Sequence, residues 1–287
     1  MNLADYTFDP MSLKRLLWPH IRFYFQQKQV IYSVLDNVET YVPAGNMLGK
    51  DFVAGFIALS FFLTRKGPCR IVTTSAKDDH LRVLWGEINS LIQSSVYPLK
   101  QEDGGPLLVN HQDIRIRLPN MSENCPISYL TGLVASPNSI AAMQGHHVAK
   151  TGDGIPRTLF ISDESSSVPD PYHKMASTWF NRALIIGNTW PCDNLFSRAV
   201  KEGDLPKPKL ERVPVSVEPV TQKIKYELKK TYYRKVIKIT VEDSPNVTVA
   251  RKEIAQASEP TNRTVIPGVK PWDEYQTNRQ TRAIVQK

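Results

Sequence analysis

The sequence predicts an α/β protein: a central, mostly parallel sheet flanked by helices, with a small C-terminal linker or subdomain. Three observations carry this expectation. Short β-branched runs recur at 38–42, 70–75, 158–162 and 183–187. Helical patterns follow three of them, at 52–63, 76–92 and 195–200, which is the alternation of βαβ units. The 287 residues, 41% of them hydrophobic, suffice for one large core and an appendage.

Residues 1–37 read as an N-terminal helical segment. Asp9-Pro10 opens a helix bearing Leu13, Leu16 and Leu17, and Trp18-Pro19 ends it. A second helical pattern carries Phe23, Phe25, Val30, Ile31, Val34 and Leu35. Gln26, Gln27 and Gln29 lie just before the first strand. A glutamine amide there can read an adenine edge, and Gln27 is the candidate, although a solvated helix face explains any single one of them better.

The core is expected over 38–204. Between the first strand and its helix lies Ala44-Gly45-Asn46-Met47-Leu48-Gly49-Lys50-Asp51. This is a variant of the G-x-x-x-x-G-K phosphate-binding loop (Walker A), with Ala44 in the first small position. Small residues let backbone N–H groups turn inward around a phosphate, and the helix N-terminus adds partial positive charge. Lys50 supplies a full charge for the β- and γ-phosphates. Asp51 stands where Ser or Thr usually meets Mg²⁺; a carboxylate can bind the ion itself, at the cost of negative charge near the phosphates.

Strands or hairpins are expected at 100–120 and 128–135. The pair His146-His147 reads as a polar loop rather than a metal site. Thr158-Leu159-Phe160-Ile161-Ser162 then ends in Asp163-Glu164, an apolar strand closing on two carboxylates, the form of a Walker B strand. Asp163 is expected to hold Mg²⁺ and Glu164 to act as general base toward the attacking water. A third strand, 183–187, ends in Gly187-Asn188-Thr189, where a polar side chain can sense the γ-phosphate. An ordinary turn explains that Gly-Asn pair as well.

Residues 205–287 read as a linker and small subdomain. Leu205-Pro206-Lys207-Pro208-Lys209 is a basic, proline-containing linker, 229–235 interleaves lysine with tyrosine, and 236–241 alternates like a strand. A short helix is expected around 272–279. The net charge of +8 and pI near 9.3 favour a polyanionic partner. Three scattered cysteines with no C-x-x-C pair argue against a zinc site and fit a reducing compartment. The N-terminus lacks the pattern of a secretory signal, and no apolar run reaches membrane-spanning length.

Taken in order, AGNMLGKD, LFISDESS and ALIIGNTW resemble the ATPase domain of the large terminase subunit of tailed double-stranded DNA bacteriophages. TTSAKDDHLRVLWGEI, MQGHHVAK, DSPNV and IPGVKPWDEY agree with it. The resemblance implies a P-loop ATPase that uses ATP and Mg²⁺ to drive double-stranded DNA into a procapsid. Ala44 to Asp51 would bind ATP, Lys50 and Glu164 would be catalytic, Asp51 and Asp163 would hold the metal, and Gly187, Asn188 and Thr189 would couple hydrolysis to movement. It further implies a homo-oligomeric ring, portal-protein and small-terminase partners, no membrane, and a place in the host cytoplasm on the procapsid portal. An arginine on the γ-phosphate is expected from Arg65, Arg70, Arg82 or a neighbouring subunit. Large terminases usually carry a nuclease domain too; the acidic residues after 204 show no such strand pattern, so ATP hydrolysis without DNA cleavage is expected. The alternatives are a helicase-like DNA-dependent ATPase and a catalytically weak nucleotide-binding assembly protein.

Overall fold

The computed structural model describes residues 2–110, 112, 114–119, 128–149, 152–188, 192–256 and 264–285. Helices α1 (Pro10–Leu17) and α2 (Phe25–Asp36) open the chain. Asp9 caps α1 by accepting from the Ser12 amide at 3.0 Å, and Pro10 fits the first helical turn. Phe23, expected within the second helix, lies two residues ahead of it.

Then follow β1 (Glu39–Pro43), α3 (Lys50–Thr64), β2 (Arg70–Ser75), α4 (Asp78–Ser94), β3 (Leu108–Asn110), β4 (Arg115–Arg117) and β5 (Tyr129–Val134). The next elements are β6 (Thr158–Ser162), α5 (Asp170–Ala176), β7 (Arg182–Gly187), α6 (Leu195–Glu202) and β8 (Leu205–Pro206). The chain closes with β9 (Glu211–Val217), β10 (Ile224–Lys229), β11 (Tyr232–Val236), α7 (Pro245–Ala255) and α8 (Trp272–Val285).

Nine strands form one sheet in the order β3-β4-β5-β2-β6-β7-β1-β11-β8. The six from β5 to β11 are mutually parallel, and antiparallel pairs close both edges. The central strands are buried on both faces, which is why they read as continuous apolar runs. Helix α3 is apolar almost all round and buried almost all round. Its Phe56, Phe61 and Phe62 are inaccessible, each contributing about 1.5–3 kcal/mol by leaving water. Trp18 seals the α1 side, with its Nε1 donating to the Leu91 carbonyl at 2.7 Å.

The expected boundary at residue 204 runs through this sheet rather than beside it. Strand β11 pairs with β1, Glu39 opposite Arg234 and Tyr41 opposite Val236. The alternating run 236–241 is not a strand of its own. It prolongs this pairing: the Ile237 and Ile239 amides donate to the Tyr41 and Pro43 carbonyls at 2.9 and 3.0 Å. The proline-punctuated stretch 211–229 also escapes sequence reading. It is an antiparallel ribbon of β9 and β10, with Pro214 at a register shift.

Candidate phosphate-binding and catalytic site

In a parallel sheet the carboxyl ends of the strands open onto one crevice. Here β6, β7 and β1 are consecutive neighbours, so their ends bring Asp163-Glu164, Asn188 and the 44–50 loop together. The loop leaves β1 through Ala44, whose amide donates to the Gly187 carbonyl at 3.0 Å. Gly49 caps α3 at φ +67°, a left-handed conformation. A Cβ there would also lie 2.8 Å from Gln27 Nε2. Met47 takes the left-handed region as well, at φ 57°.

Lys50 Nζ forms an ion pair with Glu164 Oε1, and Asn188 Nδ2 donates to Glu164 Oε2 at 3.2 Å. The P-loop lysine, the expected base and the expected sensor are thus joined through one carboxylate. Glu164 sits at φ +46°, a strained position for a side-chain-bearing residue. Its neighbours hold it there. The Ser167 amide donates to the Glu164 carbonyl at 2.9 Å, and Ser165 Oγ donates to the Ser162 carbonyl at 2.8 Å. Asn194 Nδ2 donates to the Ser165 carbonyl at 2.8 Å. Any side chain at 187 would press on the Ser165 and Ser166 amides, 3.1 and 3.0 Å from its Cβ, so glycine keeps β7 close to this turn.

Asp163 is buried, and its Oδ1 has no hydrogen-bond partner. Burial, and then the nearby Asp51 carboxyl, raise its proton affinity well above the usual carboxylate range. Asp51 is raised by burial too, against the pull of Lys50. Glu87 of α4, raised by burial and by Asp51, lines the same cavity. Adjacent buried carboxyls with one unpartnered oxygen call for a proton or a cation between them. Among the described residues no cluster of three or more His, Cys, Asp or Glu could hold a metal alone. Mg²⁺ suits such a place, because it usually takes one or two carboxylates and completes its shell with phosphate and water.

The cavity in front of Lys50 has a volume of 810 Å³. One wall is the loop, another is His20 to Arg22, and a third is the segment 264–269. That third wall is fastened to the loop: the Lys270 amide donates to the Met47 carbonyl at 2.7 Å. Asn246 organises the segment with its whole amide group. Its Nδ2 donates to the Ile266 and Val269 carbonyls, both at 3.1 Å, and its Oδ1 accepts from the Val265 and Ile266 amides at 2.7 and 3.1 Å.

The other sequence-level candidates sort clearly. Gln27 lines the cavity, but its amide is engaged by the protein backbone. Nε2 donates to the Leu48 carbonyl and Oε1 accepts from the Tyr24 amide, each at 3.3 Å. Tyr24 Oη joins it on the Leu48 carbonyl at 2.8 Å. Gln27 is therefore built into the base of the loop rather than left free for an adenine edge. Thr189 lies outside the described residues. Arg65 ends α3, about 20 Å of helix from Lys50. Arg70 begins β2, at the sheet end away from the crevice, and binds the Gly145 and His147 carbonyls. Arg82, early in α4 and paired with Asp78, is the one of the three on the crevice side. His146 is a structural residue, bonded to Tyr129 Oη at 2.6 Å and to the Ala142 carbonyl at 2.9 Å.

No protein-family profile and no curated protein sequence matches the chain. Solved structures do. The large terminase ATPase domain of Thermus phage P74-26 matches with a TM-score of 0.52 and 16% identity, over 89% of this chain and 92% of that one. The fold is that of a large-terminase ATPase domain. The large terminase of bacteriophage HK97 matches likewise, with a TM-score of 0.53 and 13% identity. This terminase fold accounts for 98% of the present chain and 52% of the HK97 chain. None of the described helices is long and apolar enough to cross a membrane.

Proposed function

We propose that the chain is a Mg²⁺-dependent ATP hydrolase of the large-terminase type, whose turnover moves double-stranded viral DNA into a procapsid. The observation that carries the ATPase half is the convergence of Lys50, Asp51 and Glu164 on one cavity at the carboxyl ends of β1 and β6, with Asp163 buried next to Asp51. The DNA half is supported by the terminase fold and the basic balance of the chain. Work as a ring on a portal protein, with a small terminase subunit, in the host cytoplasm, belongs to the same proposal.

Mg²⁺ bound at Asp51 and Asp163 would neutralise charge on the β- and γ-phosphates. The chain's own residues do the rest. The 44–50 loop directs backbone N–H groups at the phosphates, and Lys50 leaves Glu164 to join them. Glu164, released from the lysine, accepts a proton from the attacking water. Asn188 keeps the carboxylate oriented through its second oxygen and ties the end of β7 to the state of the phosphate.

Hydrolysis of ATP with and without Mg²⁺ and duplex DNA tests the reading. Glu164→Gln is expected to keep nucleotide affinity while kcat falls by about 10²–10⁴-fold, and Lys50→Ala to lose nucleotide binding. A wild type no faster than Glu164→Gln would end the ATPase assignment. A nucleotide-binding protein with weak turnover is the second reading, favoured by one observation, the Asp51 carboxyl against Asp163. Tight ATP binding with no turnover, unchanged by DNA, would select it.

A further inference from the structure

The positive charge of this chain is not spread evenly. Residues 205–235 hold nine Lys or Arg against three Asp or Glu, which is +6 of the whole chain's +8. That span is the β9–β10 ribbon with its flanking strands β8 and β11. Four of the nine cations are matched within the protein: Lys207 by Glu211, Lys229 by Asp36, Arg234 by Glu202 and Lys235 by Asp204. The other five, Lys209, Arg212, Lys223, Lys225 and Lys230, are exposed and make no ion pair among the described residues.

The ribbon is fixed in place rather than loose. At its turn, Gln222 Nε2 donates to Asp5 Oδ1 at 2.9 Å, and Lys66 Nζ donates to Gln222 Oε1 at 2.6 Å. Midway, Tyr226 Oη donates to the Asp153 carbonyl at 3.1 Å. Aromatic rings steady two of the free cations: the Arg212 guanidinium lies 4.6 Å from the Tyr226 ring centroid and Lys230 Nζ lies 5.8 Å from that of Tyr232. Leu228, directly across the ladder from Arg212, is 70% exposed, and Leu210 beside Lys209 is 60% exposed. Lysine is depleted at protein–protein interfaces, whereas unpaired Lys and Arg interleaved with tyrosine fit a phosphate backbone. A two-stranded ribbon also has the width that a DNA major groove admits.

We infer that the β9–β10 ribbon is a duplex-DNA-binding element that offers cations on both faces, Arg212 on one and Lys225 on the other, with Lys209, Lys223 and Lys230 beyond the ends of its strands, all five as phosphate contacts. The inference rests on the DNA-translocating reading above and adds to it the place of contact. The ribbon's anchors, Asp5 and Lys66, lie at the end of the sheet remote from Lys50. DNA and nucleotide would therefore occupy opposite ends of the same sheet.

The experiment is a salt titration of a labelled duplex of random sequence against the full chain, by fluorescence anisotropy. Its partners are a variant with all five cations changed to alanine and a milder Lys209→Gln/Lys230→Gln pair. ATP hydrolysis without DNA and thermal melting show that each variant is folded. Five lost phosphate contacts should flatten the slope of log K against log salt by about 4–5 and the milder pair by about 2. At low salt the fivefold variant should bind at least about 10-fold more weakly. Basal hydrolysis should not move, and changing Lys14 and Arg15 on α1 should leave the slope as it is.

A wild type that binds duplex while both folded ribbon variants bind it equally well would overturn the ribbon assignment and leave the terminase reading standing. A wild type that neither binds duplex nor responds to it in ATP hydrolysis would overturn that reading, and this inference with it. Single-stranded RNA or anionic vesicles displacing the duplex at equal charge would overturn the choice of ligand. Loss of self-association in the variants with an unchanged slope would mark the ribbon as a contact between copies instead.

Discussion

His173 is buried against the Phe160 ring, and neither ring nitrogen has a hydrogen-bond partner. Burial pushes it down to about 4. The unfolded chain takes up this proton near pH 6.5, the folded chain only near 4. Stability from His173 is thus complete above pH 6.5 and is lost as pH falls through that window, by about 3 kcal/mol at most. Urea unfolding from pH 7 to 4 should record this loss, and His173→Leu should flatten it. A wild-type profile no steeper than the variant's would contradict the assignment. The candidate-site residues divide by how they show in sequence. As candidates, Lys50 and Asp51 stand out in sequence because they open a helix after a glycine-containing loop, and Asp163, Glu164 and Asn188 because each follows an apolar strand. Tyr24, Asn194 and Asn246 act by bonding backbone groups, and such bonds leave no spacing pattern.

Among the elements, the segment from 264 to 270 is the least expected. Its Gly268 and Pro267 read as loop, and nothing in its composition announces a wall of the cavity in front of Lys50. It stays there through Asn246 and through Ser244 Oγ, which donates to the Lys270 carbonyl at 2.7 Å. Asn246→Ala removes four hydrogen bonds and strands the amides of 265 and 266. We expect KM for ATP to rise several-fold with kcat changed less, and stability to drop by about 1–3 kcal/mol. Equal losses in kcat and kcat/KM would instead assign the segment to the transition state. Strands β2, β6 and β7 were legible as buried apolar runs. The β9–β10 ribbon was not, because Pro214 and the register shift beside it break its alternation and because both its faces carry charge.

For the molecule as a whole, the consequential feature is the sheet order. A division at residue 204 leaves β1 without β11 on one side, and with it without the pairing that runs on to Ile239. The chain cut after 204 should therefore expose an unpaired, apolar parallel edge and aggregate. Light scattering and a thermal melt decide this; a soluble fragment with a cooperative transition would mean that the β11 pairing is dispensable. The fold class was legible because strand and helix alternate along the chain. The order in which late strands re-enter a sheet is long-range information, and local pattern does not carry it.

That late strand also sets a timetable for biosynthesis. Glu39 meets its partner Arg234 only after almost all of the intervening chain has been made, roughly 10–40 s at ordinary elongation rates. Throughout that interval the nascent 44–50 loop hangs from a strand with one flank bare. Slowing the ribosome would lengthen the exposure, and chaperones that shelter apolar edges would be most needed before the last third emerges.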